Sequence, residues 1–494
     1  MSPSRAPRQR GSASARRNAG IPQPGMAYKR RTQVKRTTPT SRSDSPQATS
    51  MNTKVHIPLL DNNKVILTRR QLLFGAIGVA AVAGVGAAAS TVSKTRQEAT
   101  DFDVLEVPET AVSRTADLDG ESITAQDCMQ LVGSFELPYG TLVWANSSHY
   151  AACLIPTDTA SPLSVAAVLS LDSGNYETIL EHAVTAEPGY EVFDLRATGE
   201  AVIWTEAHCL ANNWKTYQAT YTPGKGLGPA ILLAQGDAEY EAPSIAICQN
   251  HVFWQILPAL TGSKTSEDSL VMCAEINSGE GIEVLRSRGR MCTPLYAAAD
   301  GIVATPRVDT NGVYHQLTYI DDATLNIADS LILPGGMKPL EAGYGNDRFS
   351  FAFDAIYDYG GGIANLGTYV PVSTGNPSAS QWICFDRNPS AAPAFCDKWF
   401  VVKSTRGVSC VDPESGVMFS LGAPDGTDTY GDYLATSGSF KTIVTYCNID
   451  LAQHNTTYVE GYWDAKEGEM TDGHYVTEVN DLHHTLIRVW QPYV

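Results

Sequence analysis

The stretch AVIWTE at residues 201–206 returns fifty residues later as HVFWQI at 251–256, a short apolar run with tryptophan in fourth place. Working outward, comparable runs stand at 141–146 (TLVWAN), 301–306 (GIVATP), 348–353 (RFSFAF), 399–404 (WFVVKS) and 441–446 (KTIVTY). Aligned on Trp144, Trp204, Trp254, Ala304, Phe351, Val402 and Val444, they step by 60, 50, 50, 47, 51 and 42 residues. A second series keeps the same period. Strand–turn–strand units follow each run, with turns near Asp172-Ser173-Gly174, Thr222-Pro223-Gly224, Asn277-Ser278-Gly279, Asp321-Asp322-Ala323, Ser373-Thr374-Gly375, Glu414-Ser415-Gly416 and Lys466-Glu467-Gly468. Glycine supplies the positive φ that a tight hairpin asks for.

A period of 40 to 50 residues built from short strands and turns reads as four-stranded propeller blades, and seven copies predict an all-β, seven-bladed ring over 118–494. Each blade needs its neighbours to bury both faces, so the repeated strand is apolar almost throughout instead of alternating. Trp144, Trp204 and Trp254 are expected in the core. A pair of β-sandwiches is the competing arrangement, but it gives no reason for one strand–turn pair to recur seven times. The ends, 101–140 and 470–494, fit the period least, and one of them is expected to close the ring.

The order within each unit, from a strand ending at a Gly, Asp or Asn turn through the VIWT-type strand to an ATY-type strand and a polar turn, resembles TolB-like propellers. The resemblance implies a fold and no activity.

Charge divides the chain. Of 35 Lys/Arg, 15 lie in residues 1–70 beside only two acids, Asp44 and Asp61, which gives +13 there and 20 − 51 = −31 for the remainder. The acidic remainder argues against a nucleic-acid partner, because phosphate binding needs clustered Lys/Arg. Residues 1–67 read as a disordered basic leader rich in Ser, Pro and Arg, with Met26 and Met51 as later candidate starts beside Met1.

TRRQLLF at 68–74, followed by a weakly apolar Ala/Gly run to Ser90, resembles a twin-arginine translocation (Tat) signal, with Arg69 and Arg70 as the pair and Phe74 where lysine is common. The resemblance implies the Tat translocase as partner, a signal or transmembrane helix over 68–90, and membrane contact through 72–90. A small-residue cleavage site near Ala89 is expected, and 91–117 reads as a linker. The protein is then exported, as a membrane-anchored or released cell-envelope protein. The ten cysteines all lie beyond residue 100, and their even number suits disulfides in an oxidising compartment, with buried free thiols as the alternative.

Loops between second and third strands are expected to share one face of the ring, where binding usually resides. Four histidines are placed in them: His149, His208, His315 and His454. Since blades seven, one and two adjoin, His454, His149 and His208 are candidates to converge on a transition metal or an acid/base site. Asp354 and Asp358, beside Gly360-Gly361-Gly362, suit carbohydrate or a cation. Asp425, Asp428 and Asp432, and separately Asp117 and Asp119, have spacings that calcium could use, although neither set matches an EF-hand. No GxSxG, HExxH, phosphate-binding or dinucleotide-binding motif occurs. No cofactor is predicted beyond a calcium or transition-metal site. The functional expectation is a protein- or glycan-binding scaffold, with a polysaccharide hydrolase or lyase as the alternative.

Overall fold

The computed structural model describes residues 103–115 and 123–493 apart from short internal stretches, the longest of them 354–366. Seven mainly antiparallel sheets stand around a ring, six of them running from an inner to an outer strand in chain order and the seventh taking its outer strand from earlier in the chain. Blade two shows why. Its inner strand Glu191–Ala197 pairs with Ala201–His208, which pairs with Asn213–Thr222, and Ile231–Gly236 lies outermost. The second strand is buried along almost its whole length, while the outermost alternates between exposed and half-buried positions. A strand in the middle of a blade has a neighbouring blade on each face, whereas the outer one meets water.

The apolar residues fall into seven clusters, each lying between two adjacent blades. Alternation of side chains along one strand feeds two of them. In AVIWTE, Val202 and Trp204 point back into the cluster shared with blade one, while Ala201 and Ile203 point forward into that shared with blade three. Trp254 packs back on blade two in the same manner, and Phe253 forward on blade four. Trp204 and Trp254 are 0% and 2% exposed.

Two of the aligned runs are out of phase. TLVWAN contains the inner strand of blade one, Leu142–Trp144, and the second strand is Tyr150–Pro156. Counted from second-strand starts at Tyr150 and Ala201 the step is 51 residues, which removes the anomalous 60. Cys153, not Trp144, is the counterpart of Trp204, and Trp144 is half-buried on the channel wall. In blade seven Val444 faces forward onto blade one, while its neighbour Ile443 faces back onto blade six. A one-residue slip exchanges the two faces of a strand.

Both chain ends close the ring. Met129–Pro138 forms the outer strand of blade seven, antiparallel to His474–Pro492, in a register running from Met129 opposite Pro492 to Pro138 opposite His484. The residues before it form a strap across three preceding blades. The Leu105 N–H donates to the Ile332 carbonyl of blade four at 2.8 Å, Val112–Arg114 adds a parallel edge strand to blade five, and Ala125 and Cys128 pack on blade six. The short helix Ala125–Cys128 starts at a capping box between Thr124 and Asp127. The strap thereby covers sheet edges that would otherwise offer unpaired backbone groups.

Beyond the blade, Ile443–Val459 and His474–Pro492 continue together as a long hairpin, with Asp450 opposite His483 and Val459 opposite His474. The nine cysteines among the described residues are free, and seven of them are buried; the expected disulfides are not found. Cys153, Cys248, Cys273, Cys384, Cys396 and Cys410 fill the inter-blade cores as small apolar groups. Among the described residues no helix is long and apolar enough to cross a membrane, and the segment 68–90 with Arg69 and Arg70 lies outside them.

Candidate functional site

The seven inner strands enclose a central channel, and one turn of blade seven crosses it. After Tyr433–Leu434 the chain runs through Ala435 to Ser439. The Ala435 carbonyl accepts from the Ala145 N–H of blade one at 3.0 Å, and Gly438–Ser439 pairs with the inner strand of blade six. Gly438 lies against blade four: its φ is +83°, and a Cβ there would stand 2.4 Å from the Ala297 carbonyl oxygen. Only glycine allows this approach. The crossing segment floors a cavity of about 240 Å³.

Trp144, Asn146, Arg196, Tyr296, Glu341, Lys403, Tyr433 and Tyr446 wall this cavity, drawn from blades one, two, four, five, six and seven. Arg196 pairs with Asp194 on the same face of its strand and lies 4.9 Å over the Trp144 ring. It also donates to the Leu195 carbonyl at 2.7 Å. Burial raises the Asp194 carboxyl despite the opposing effect of Arg196. Across the next gap the Tyr296 hydroxyl donates to Glu341. Burial pushes the Glu341 carboxyl up to about 7, with the hydroxyl pulling the other way, and burial first, then the Glu341 charge, pushes the Tyr296 phenol well up. Lys403 donates to the Tyr430 carbonyl at 3.2 Å and lies 5.5 Å over the Tyr433 ring; burial lowers its pKa. One wall group differs from these paired ones. Asn146 is 7% exposed and its Oδ1 has no hydrogen-bond partner.

The candidate histidines do not assemble at this cavity. His149 lies in the loop between the first and second strands of blade one, its ring Nδ1 3.0 Å from Asp172 and its carbonyl accepting from Leu171. His208 ends the second strand of blade two, at the opposite end of its blade, where its ring meets Tyr190 edge-on at 5.7 Å. His454 stands on the long hairpin, paired through its backbone with Val479. His315 is 2% exposed, its Nδ1 3.3 Å from the Cys292 sulfur. Burial holds that thiol up at about 12 and that imidazole down at about 4, so both are neutral near pH 7 and the thiol is no activated nucleophile.

The acidic candidates part in the same way. Asp432 is buried against Arg488 in blade seven, and Asp428 accepts from the Tyr430 N–H at 2.9 Å and the Asn448 amide at 3.3 Å. Asp354, Asp358, Asp117 and Asp119 lie outside the described residues. Among the described residues no three His, Cys, Asp or Glu side chains are grouped to hold a metal.

The channel residues were absent from the sequence candidates because those were sought in loops. A usable signal existed in FDLRATG at 193–199, where an acid and an arginine interrupt a strand leading into a glycine turn.

No family model matches the sequence, and no curated protein does. Among solved structures, a prolyl endopeptidase matches with a TM-score of 0.43 and 9% identity over 70% of this chain and 55% of its own. A puromycin hydrolase gives 0.42 and 12% over 74% of this chain and 60% of its own. TolB from Acinetobacter baumannii gives 0.33 and 9% over 56% of this chain and 64% of its own. The chain thus spans less than two thirds of the length of each.

Proposed function

We propose that the chain is an exported cell-envelope propeller that binds a protein or glycan ligand, with the floored channel pocket as its binding site. The pairing within that pocket carries the reading. Asp194 is neutralised by Arg196, Glu341 holds the Tyr296 hydroxyl, and Lys403 is tied to a backbone carbonyl. Paired inner and second strands fix these groups, so recognition needs little reorganisation, which favours binding. The export part of the reading rests on the Tat-like run at 68–90, with the Tat translocase as partner and either anchoring through 72–90 or release near Ala89.

One observation favours a second reading, a polysaccharide hydrolase or lyase. Glu341, held up at about 7, has the pKa of a general acid. Against it, Glu341 is the one carboxylate among the described residues lining the cavity and Asp194 beside it is occupied by Arg196, whereas glycoside hydrolysis usually employs two working carboxylates.

The experiment is to incubate the purified chain with oligosaccharide and peptide panels, measuring retention by equilibrium dialysis and product formation by mass spectrometry. Retention without turnover is expected; turnover abolished by Glu341→Gln would move the hydrolase reading to first place. Export is tested separately, since an Arg69→Lys/Arg70→Lys variant should accumulate in the cytoplasm.

A further inference from the structure

We propose that the channel pocket holds one neutral sugar ring, a ring hydroxyl of which donates to the Oδ1 of Asn146. The inference rests on the binding reading above and names its ligand class.

Asn146 supplies the starting point. A buried polar oxygen without a partner is costly, and native structures carry few of them. This one belongs to a residue that is 7% exposed and lines a cavity of about 240 Å³. Its backbone is fixed next to the floor by the bond between the Ala145 N–H and Ala435. An acceptor held in this position calls for a ligand that brings a donor.

The rest of the wall narrows the class. A cationic ligand would seek the aromatic faces, but Arg196 already lies over Trp144 and Lys403 over Tyr433. An anionic ligand would meet the Glu341 carboxyl, and the Arg196 guanidinium is already paired with Asp194. An extended peptide needs a through-channel or a sheet edge, and the Ala435–Ser439 segment closes the former. What remains is a compact neutral molecule with hydroxyls around its rim and C–H groups on its faces. Tyr296 and Tyr446 offer ring surface to the C–H faces, while Asn146 and Glu341 accept and Lys403 donates. At about 30 Å³ per water, the cavity has the volume of roughly eight waters, the scale of one sugar ring and not of a chain.

The test is isothermal titration of the full-length chain and of Asn146→Leu with glucose, galactose, N-acetylglucosamine, glucuronic acid, choline and a tripeptide. Leucine fills nearly the same volume and removes the orphaned oxygen, so the melting temperature should stay level or rise, which separates lost binding from lost folding. A neutral sugar should bind the wild type and lose at least tenfold in affinity in Asn146→Leu. Equal sugar affinity in both proteins overturns the proposal. Preference for glucuronic acid or choline overturns it likewise. Peptide binding that Asn146→Leu abolishes overturns the sugar class and leaves the channel as a binding site, while silence from every ligand overturns both.

Discussion

Tyr296 on the inner strand of blade four donates its hydroxyl to the carboxylate of Glu341 on the inner strand of blade five, bridging two blades across the channel wall. The contact places a carboxyl where water is scarce, and burial pushes it up from 4.5 to about 7.

That shift fixes the sign of a pH effect. Between pH 4.5 and 7 Glu341 is protonated in the folded chain and ionised in the unfolded one, so the folded state holds more protons and stability falls as pH rises through this window. A change from 4.5 to about 7 corresponds to about 3 kcal/mol across this window. Urea unfolding at several pH values should show the wild type losing this increment relative to Glu341→Gln. Parallel pH profiles for the two would remove Glu341 as a buried, proton-linked group.

Closure through Met129–Pro138 makes a graded truncation informative. Removing residues up to 128 deletes the strap but leaves the strand that completes blade seven, so the ring should still unfold cooperatively at a lower temperature. Removal through 138 exposes the cluster containing Leu137, Ile487 and Val489 and should abolish the cooperative transition. Ile487→Ala, at a position 0% exposed, should cost about 2–5 kcal/mol by denaturant unfolding.

Gly438→Ala tests the floor. A side chain there must adopt a positive φ and displace the Ala297 carbonyl, so the substitution should cost more than about 2 kcal/mol. A wild-type melting temperature in this variant would mean that the 435–439 segment does not rest on blade four.

Thiol chemistry checks the buried cysteines. Cys292, its thiol held up at about 12, should react with a maleimide far more slowly in the native protein than in urea. Mass spectrometry without reductant should find the nine described cysteines as free thiols.

The ring was legible because each blade repeats one physical problem, a strand that must satisfy a neighbour on each face. AVIWTE states that problem plainly: its even and odd residues enter different cores. Blade one misled because the second strand, Tyr150–Pro156, contains Cys153 where blades two and three set Trp204 and Trp254, and the tryptophan of the preceding inner strand took its place in the alignment. Blade seven misled by one residue, enough to exchange Ile443 and Val444 between faces. The pocket was not legible from loop histidines because its walls are mostly inner strands, with Lys403 and Tyr446 from second strands. Asn146, Arg196, Tyr296 and Glu341 lie up to 195 residues apart and meet only through ring closure. Nor does any local pattern indicate that Gly438 will reach across to Ala297.

Tryptophan fluorescence tests the central claim, that the floored channel is where ligand binds, most directly. Trp144 stands on the pocket wall, while Trp204 and Trp254 lie in inter-blade cores. Titration with a bound sugar should shift the emission of the wild-type chain, and Trp144→Phe should lose that shift while keeping the wild-type melting temperature. A shift of equal size in Trp144→Phe would place the ligand away from the channel and contradict the account.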